Sequence, residues 1–147
     1  MRLSRLRPGE IIVAAAVVVM AVSLFALDWY GEPSRTGWNG TTHVRYLLLL
    51  DMLLGLALVV TQAACRAPAI PVSVSVFSTV VALVTALWLI YRVLIDSQPH
   101  QELGAWLELI GGLALLVGSF LSMREEGIAA KDGPGEIPVV NIPAASG

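Results

Sequence analysis

Four long apolar blocks dominate this sequence, and each has roughly the length that crosses a lipid bilayer. They cover about residues 11–30, 46–65, 70–95 and 103–123, with short polar segments between them. A membrane-spanning helix needs about 20 predominantly apolar residues. Only 14% of the 147 residues are charged, whereas a soluble domain carries about 25%. The blocks therefore predict an all-α, integral membrane four-helix bundle with no separate soluble domain.

The first block also invites comparison with a secretory signal peptide, because three arginines precede it. The apolar core of a signal peptide has about 7–15 residues, and this block is longer. It ends in the sequence Asp-Trp-Tyr at residues 28–30, which is typical of a membrane interface. We therefore expect the first block to remain in the protein as a membrane span.

The basic residues predict the orientation of the bundle. If the N-terminus is inside, the inner segments hold Arg2, Arg5, Arg7, Arg66, Arg124 and Lys131, and the outer segments hold Arg35, Arg45 and Arg92. Basic residues are retained on the cytoplasmic side of a membrane. We expect a multi-pass protein of the cell membrane with both termini in the cytoplasm. All four tryptophans and all three tyrosines then fall at the outer end, where aromatic rings contact lipid headgroups.

Each block carries one stripe of small or polar residues at helical spacing. Such stripes let membrane helices approach closely. The stripes are Glu10, Ala14, Val17, Ala21, Leu24 and Asp28 in the first block; Asp51, Gly55, Leu58 and Gln62 in the second; Ser75, Ser78, Ala82, Thr85, Leu89 and Arg92 in the third; and Gly104, Glu108, Gly111, Leu115 and Gly118 in the fourth.

Three charged residues on these stripes are candidates for a site. Asp51, Arg92 and Glu108 all lie roughly 7 Å or less inside the outer ends of their spans, at about 1.5 Å per residue. An ionised group at the centre of a membrane costs about 2.5–3.5 kcal/mol, so such groups pair or face a cavity. We hypothesise that the three form a buried polar cluster in the outer third of the bundle. With two acids and one arginine, either one acid is protonated or a second positive charge, from Arg45 or a bound ion, lies nearby. The cluster is either structural or a ligand, proton or ion site; the alternative is three unconnected interface residues.

The sequence carries no pattern typical of catalysis. Both histidines, His43 and His100, fall in predicted outer loops, and Cys65 is the only cysteine. Haem binding needs axial ligands within the spans, thiol exchange needs a second cysteine, and serine proteolysis needs a base beside the serine. Nucleotide-binding and metal-binding motifs are also missing. We expect a non-enzymatic protein without a cofactor or metal site, and no nucleic-acid partner.

Residues 127–147 are rich in glycine, proline and other small residues. Such a composition does not bury enough apolar surface to order a chain, so we expect a flexible cytoplasmic tail. The apolar stretch Ile137–Ile142 is the exception, because it is suited to join the edge of a partner's β-sheet.

Short motifs resemble those of small four-span membrane proteins of unknown function from high-GC bacteria of the actinobacterial type. They are Arg-Leu-Arg-Pro-Gly-Glu at residues 5–10, Asp-Trp-Tyr-Gly at 28–31, and Leu-Ser-Met-Arg-Glu-Glu at 121–126. The resemblance spans most of residues 1–126 and implies a fold but no activity. The chain is also similar in length and low charge to the small multidrug transporters. Their essential mid-membrane glutamate in the first helix has no counterpart here, since Glu10 lies at the start of that helix.

Together these features predict a non-catalytic scaffold, assembly factor or accessory subunit of a bacterial inner-membrane complex. Its partners would be the lipid bilayer and either another membrane protein or further copies of itself. The alternative is a small transporter or ligand-binding membrane protein that uses the Asp51, Arg92 and Glu108 cluster.

Overall fold

The computed structural model describes residues 8–31, 34–64, 69–96 and 100–131. The elements in chain order are α1 (Pro8–Ala26), β1 (Asp28–Gly31), β2 (Ser34–Thr36), α2 (Gly37–Gly40), α3 (Arg45–Ala64), α4 (Ala69–Ile90), a π-helical turn (Tyr91–Ile95) and α5 (Leu103–Lys131).

Four helices are long and apolar enough to cross a membrane: α1, α3, α4 with its π turn, and α5. In lipid every backbone polar group must be satisfied within the protein. A helix meets this requirement even where its sequence is rich in β-branched residues, as in α1. These helices confirm the predicted helical bundle with four helices able to span a membrane.

The long helices alternate in direction and pack as a ring. Both α1 and α4 pack against α3 and α5, whereas α3 and α5 contact each other only sparsely. The helices α3 and α5 therefore face each other across the bundle axis. Side chains from both can meet at the centre, which is the position of the candidate site.

The first helix is shorter at its C-terminal end than the sequence suggests. It ends at Ala26, and residues 28–31 form β1, which pairs antiparallel with β2. Trp29 is completely buried and does not lie at the lipid headgroups. Its indole folds back over the end of the bundle, where its N–H donates a hydrogen bond to the carbonyl oxygen of Ser23 at 3.2 Å. Trp29 therefore points into the bundle and makes this hydrogen bond, whereas the sequence predicts that it faces the lipid headgroups.

The β1–β2 hairpin closes one end of the bundle, which we call the hairpin end. The backbone N–H of Gly31 donates to the carbonyl oxygen of His100 at 3.0 Å, and that of Glu102 donates to the carbonyl oxygen of Trp29 at 2.9 Å. These bonds join the hairpin to the segment that begins α5. The polar segment between the first two spans is therefore ordered between residues 34 and 40 by β2 and the short helix α2.

The last helix extends to Lys131, beyond the boundary expected at residue 126. Residues 132–147, including the apolar stretch Ile137–Ile142, and Cys65 lie outside the described residues. The flexibility and partner binding expected of the tail remain predictions.

Glycines allow the closest helix contact in the bundle. A β-carbon at Gly118 of α5 would lie 2.9 Å from the carbonyl oxygen of Gly9 on α1. The two backbones approach closely because neither residue has a side chain, as is typical where membrane helices pack tightly. This contact fixes α1 against α5 at the end opposite the hairpin.

Candidate functional site

A layer of four polar residues lies between the long helices near the hairpin end. Each helix contributes one of them: Ser23 from α1, Asp51 from α3, Thr85 from α4 and Glu108 from α5. All four have no exposed surface. We call these residues the polar layer. In a membrane protein, polar residues buried in a bundle either pair with one another or mark a functional site.

Two acids of this layer, Asp51 and Glu108, form what we call the carboxyl pair. They lie at the same level of the bundle, on the two helices that face each other across its axis. All four of their carboxylate oxygens are buried without a hydrogen-bond partner. An ionised carboxylate buried without a partner is strongly unfavourable, so two adjacent ones require a proton or a cation.

The hydroxyls of the layer lie beside the carboxyl pair. Thr85 is next to Asp51 and Ser23 is next to Glu108. Neither contact reaches hydrogen-bond geometry, because the carboxylate oxygens and the Thr85 hydroxyl remain unpartnered. The hydroxyl of Ser23 instead donates to the carbonyl oxygen of Gly104 at 2.6 Å. The layer therefore contains unused hydrogen-bonding capacity around its two acids.

Arg92 does not supply the counter-charge that the sequence suggests. Its guanidinium pairs with the carboxylate of Asp96 at 2.5 Å, and its central carbon lies 5.8 Å from the ring centroid of Tyr30. It lies in the π turn, where ordinary helical spacing no longer predicts which face a residue occupies. The structure thus brings Asp51 and Glu108 together but leaves Arg92 at the partly exposed end of α4.

Arg45, the second candidate for a positive charge, also lies away from the pair. Its guanidinium carbon is 5.0 Å from the ring centroids of both Trp38 and Tyr46. In the described part of the chain, no basic side chain forms an ion pair with either acid of the carboxyl pair. The pair is therefore two acids without a positive partner among these residues.

Trp29 separates the polar layer from the hairpin end. Besides its hydrogen bond to Ser23, its ring packs against Gly37 and Gly104, where a β-carbon would clash with it. At Gly104 that β-carbon would also lie 2.6 Å from the carbonyl oxygen of Asp28. Because residue 104 is a glycine, the indole ring of Trp29 can pack directly against the polar layer.

A second set of buried polar residues lies nearer the opposite end. The hydroxyls of Ser78 on α4 and Ser119 on α5 are 3.1 Å apart and share a hydrogen bond. The buried side chains of Met20, Ala82 and Leu115 lie between this set and the polar layer. The carboxyl pair is thus isolated on that side by an apolar stretch.

The stripe expected on the first helix matches its buried face only in part, because Glu10 and Leu24 are buried as expected and Asp28 is exposed. That face runs through Val13, Ala16, Met20 and Ser23, while Ala14, Val17 and Ala21 are only partly buried. The predicted stripe therefore does not include Ser23, although this residue belongs to the polar layer. Its spacing of three residues from Met20 is the signal that identifies it.

No group of three or more His, Cys, Asp or Glu side chains that could hold a metal ion occurs among the described residues. Comparison with known proteins provides no relative, since no family model, curated protein or solved structure matches the chain.

Proposed function

We propose that this protein binds a proton at the Asp51–Glu108 carboxyl pair and moves it across the membrane as a small transporter. The observation that carries the proposal is that two acids, fully buried in the centre of the bundle, have no hydrogen-bond partner. Adjacent buried carboxylates share a proton more readily than both ionise, because like charges repel strongly in a medium of low dielectric constant.

Burial favours a proton over a larger ligand. Neither acid has exposed surface, and Met20 packs against α5 three residues from Glu108. The side chain of Met20 contacts Gly111 so closely that a β-carbon there would lie 2.6 Å from its Cγ. A proton reaches such a site without displacing helices, whereas an organic ligand does not.

Binding and release of the proton would act on helix packing. Asp51 and Glu108 belong to α3 and α5, which have few other contacts with each other. The repulsion between two ionised acids would push these helices apart, and one proton would relieve it. This gives a transporter a means of coupling protonation to movement of its helices.

The location and orientation of the protein are part of the proposal. We place it in a bacterial cell membrane with both termini in the cytoplasm, since most basic residues belong to the segments at that end. Proton transport requires no covalent chemistry on a substrate, in keeping with a non-enzymatic role.

A second candidate function is that of an accessory subunit or scaffold. It is favoured by a rigid aromatic surface near the hairpin end, where the ring centroids of Phe25 and Trp38 are 5.3 Å apart. Arg45 lies against Trp38 and Tyr46 in the same surface. Aromatic residues and arginine are enriched at protein interfaces. A partner membrane protein or a second copy of the chain would bind there.

The test is proton flux into vesicles that contain the purified protein and a pH-sensitive dye, driven by an imposed membrane potential. We expect flux with the unaltered protein and its loss in the double variant Asp51→Asn and Glu108→Gln. The matched control is Asp96→Asn, which neutralises an exposed acid. Equal flux in all three proteins would refute transport, and co-purification of a defined membrane protein would then support the accessory role.

A further inference from the structure

A cavity of about 380 Å³ opens at the hairpin end, on the other side of Gly104 from the polar layer, and none of the four polar-layer residues lines it. Its lining is formed by Leu27, Asp28, Gly31, Glu102, Leu103 and Gly104. At about 30 Å³ for each water molecule, it has room for several of them. Its position matters because Gly104 lies one helical turn before Glu108 on α5.

One hydroxyl group lies between the wall of this cavity and the carboxyl pair. The Ser23 hydroxyl donates to the carbonyl oxygen of Gly104, which lines the cavity, and it also lies beside Glu108. A hydroxyl can accept a proton on one side while it releases its own on the other. Ser23 therefore has the position and the chemistry of a proton relay.

In this conformation, the described part of α4 does not offer the same short path from the polar layer toward the opposite end. The next hydroxyl on α4 toward the opposite end is that of Thr79, which donates to the carbonyl oxygen of Ser75 at 2.7 Å. Thr85 and Ser78 are about 10 Å apart along the helix, at 1.5 Å per residue, and the buried side chains of Ala82 and Leu115 lie in the region between them.

We infer that the carboxyl pair exchanges its proton with water through this cavity, with Ser23 as the relay to Glu108. The inference rests on the proposed function. It adds the path by which the proton reaches the carboxyl pair and the end of the bundle at which that path opens. In one transfer, the Ser23 hydroxyl turns from the carbonyl oxygen of Gly104 toward Glu108. Its proton then passes to the Glu108 carboxylate while Ser23 Oγ takes a proton from a hydronium ion in the cavity. The net change is one proton moved, with no oxidation or reduction. Asp28 and Glu102 line the cavity and attract protons to its mouth.

The charged and titratable side chains that surround this route come from several elements. They are Asp28 and Tyr30 on β1, Asp51 on α3, Arg92 in the π turn, Asp96 directly after that turn, Glu102 directly before α5, and Glu108 on α5. Arg92 and Asp96 neutralise each other. The carboxyl groups at the cavity and in the pair therefore remain as the groups that can pass protons along this path.

The first experiment blocks the cavity. Both variants are made in a Cys65→Ala background, which removes the native thiol. Leu103→Cys places a thiol in the cavity wall. The control, Thr42→Cys, places a thiol in an exposed turn outside the cavity. A charged, membrane-impermeant thiosulfonate reagent is applied to vesicles before the flux measurement. We expect modification to lower the flux severalfold at Leu103→Cys and to leave it unchanged at Thr42→Cys. Unchanged flux after complete modification at Leu103→Cys would overturn the route.

The second experiment tests the relay. Ser23→Ala removes the hydroxyl, and Ser23→Thr restores one. We expect flux to fall severalfold in the first variant and to recover in the second, while the infrared carbonyl band of a protonated acid persists in both. Normal flux in Ser23→Ala would overturn the relay. Loss of that band would mean that Ser23 holds the pair structurally, which would also overturn it. If the unaltered protein shows no flux at all, the proposed function fails instead, so the two failures are distinguishable.

Discussion

Two glycines of α5 differ sharply in what surrounds them, and this difference predicts opposite effects of the same substitution. A β-carbon at Gly118 would lie 2.9 Å from the carbonyl oxygen of Gly9 and 3.0 Å from the backbone nitrogen of Val13. A β-carbon at Gly112 would meet only the Cδ1 atom of Leu89, at 2.6 Å. Backbone atoms cannot move aside without shifting α1, whereas the end of a leucine side chain can.

The magnitude follows from two contributions. Replacing glycine by alanine within a helix gains about 1 kcal/mol of helix propensity, and this gain is common to Gly118→Ala and Gly112→Ala. Overpacking a rigid contact costs about 1–3 kcal/mol, and only Gly118→Ala incurs this cost in full. We therefore expect Gly118→Ala to be less stable than Gly112→Ala by about 1–3 kcal/mol.

The assay is unfolding in mixed detergent micelles by titration with a denaturing detergent, followed by the helical circular dichroism signal. The free energy of unfolding is compared between the two variants and the unaltered protein. Equal stability of the two variants, or greater stability of Gly118→Ala, would refute the close contact between α1 and α5 on which the bundle geometry rests.

Three further predictions concern individual contacts and use the same unfolding assay. A double-mutant cycle of Ser78→Ala and Ser119→Ala should give a coupling energy of about 0.6 kcal/mol, the average for hydrogen bonds between membrane helices; additive effects would mean that the bond does not contribute. Trp29→Phe should lower stability by about 1 kcal/mol through loss of the indole hydrogen bond, and Trp29→Ala by about 3–5 kcal/mol through the cavity it leaves; a neutral Trp29→Ala would contradict its buried position. Arg92→Ala should cost about 0.5 kcal/mol or less, because its pair with Asp96 is partly exposed; a loss of about 3–5 kcal/mol would show instead that it compensates a buried charge.

The helices follow from the sequence because length and apolarity determine what crosses a membrane. The stripe of α5 through Glu108, Gly111 and Gly118 is also buried as expected. It was predictable because small and polar residues recur at helical spacing and are unfavourable toward lipid. Asp51 was predictable for the same reason, since an acid within an apolar span has to face the bundle interior.

The rest of the site depends on tertiary contacts that local patterns do not contain. Trp29 is a typical interface residue by sequence, but the hairpin turns it inward onto Ser23. Arg92 shares a helical stripe with Thr85, yet the π turn and the nearby Asp96 determine its actual partner. In both cases helical spacing alone does not tell which of several neighbours a side chain contacts. The contact is decided by the length of the side chain or by a change in backbone geometry.

The central claim is that Asp51 and Glu108 hold a proton between them inside the membrane. Infrared spectroscopy of the purified protein at neutral pH tests it most directly, because a protonated carboxylic acid has a carbonyl band distinct from that of a carboxylate. We predict that the unaltered protein and the control Asp96→Asn show this band, and that Asp51→Asn with Glu108→Gln abolishes it. Absence of the band from the unaltered protein, or its persistence in the double variant, would contradict the claim.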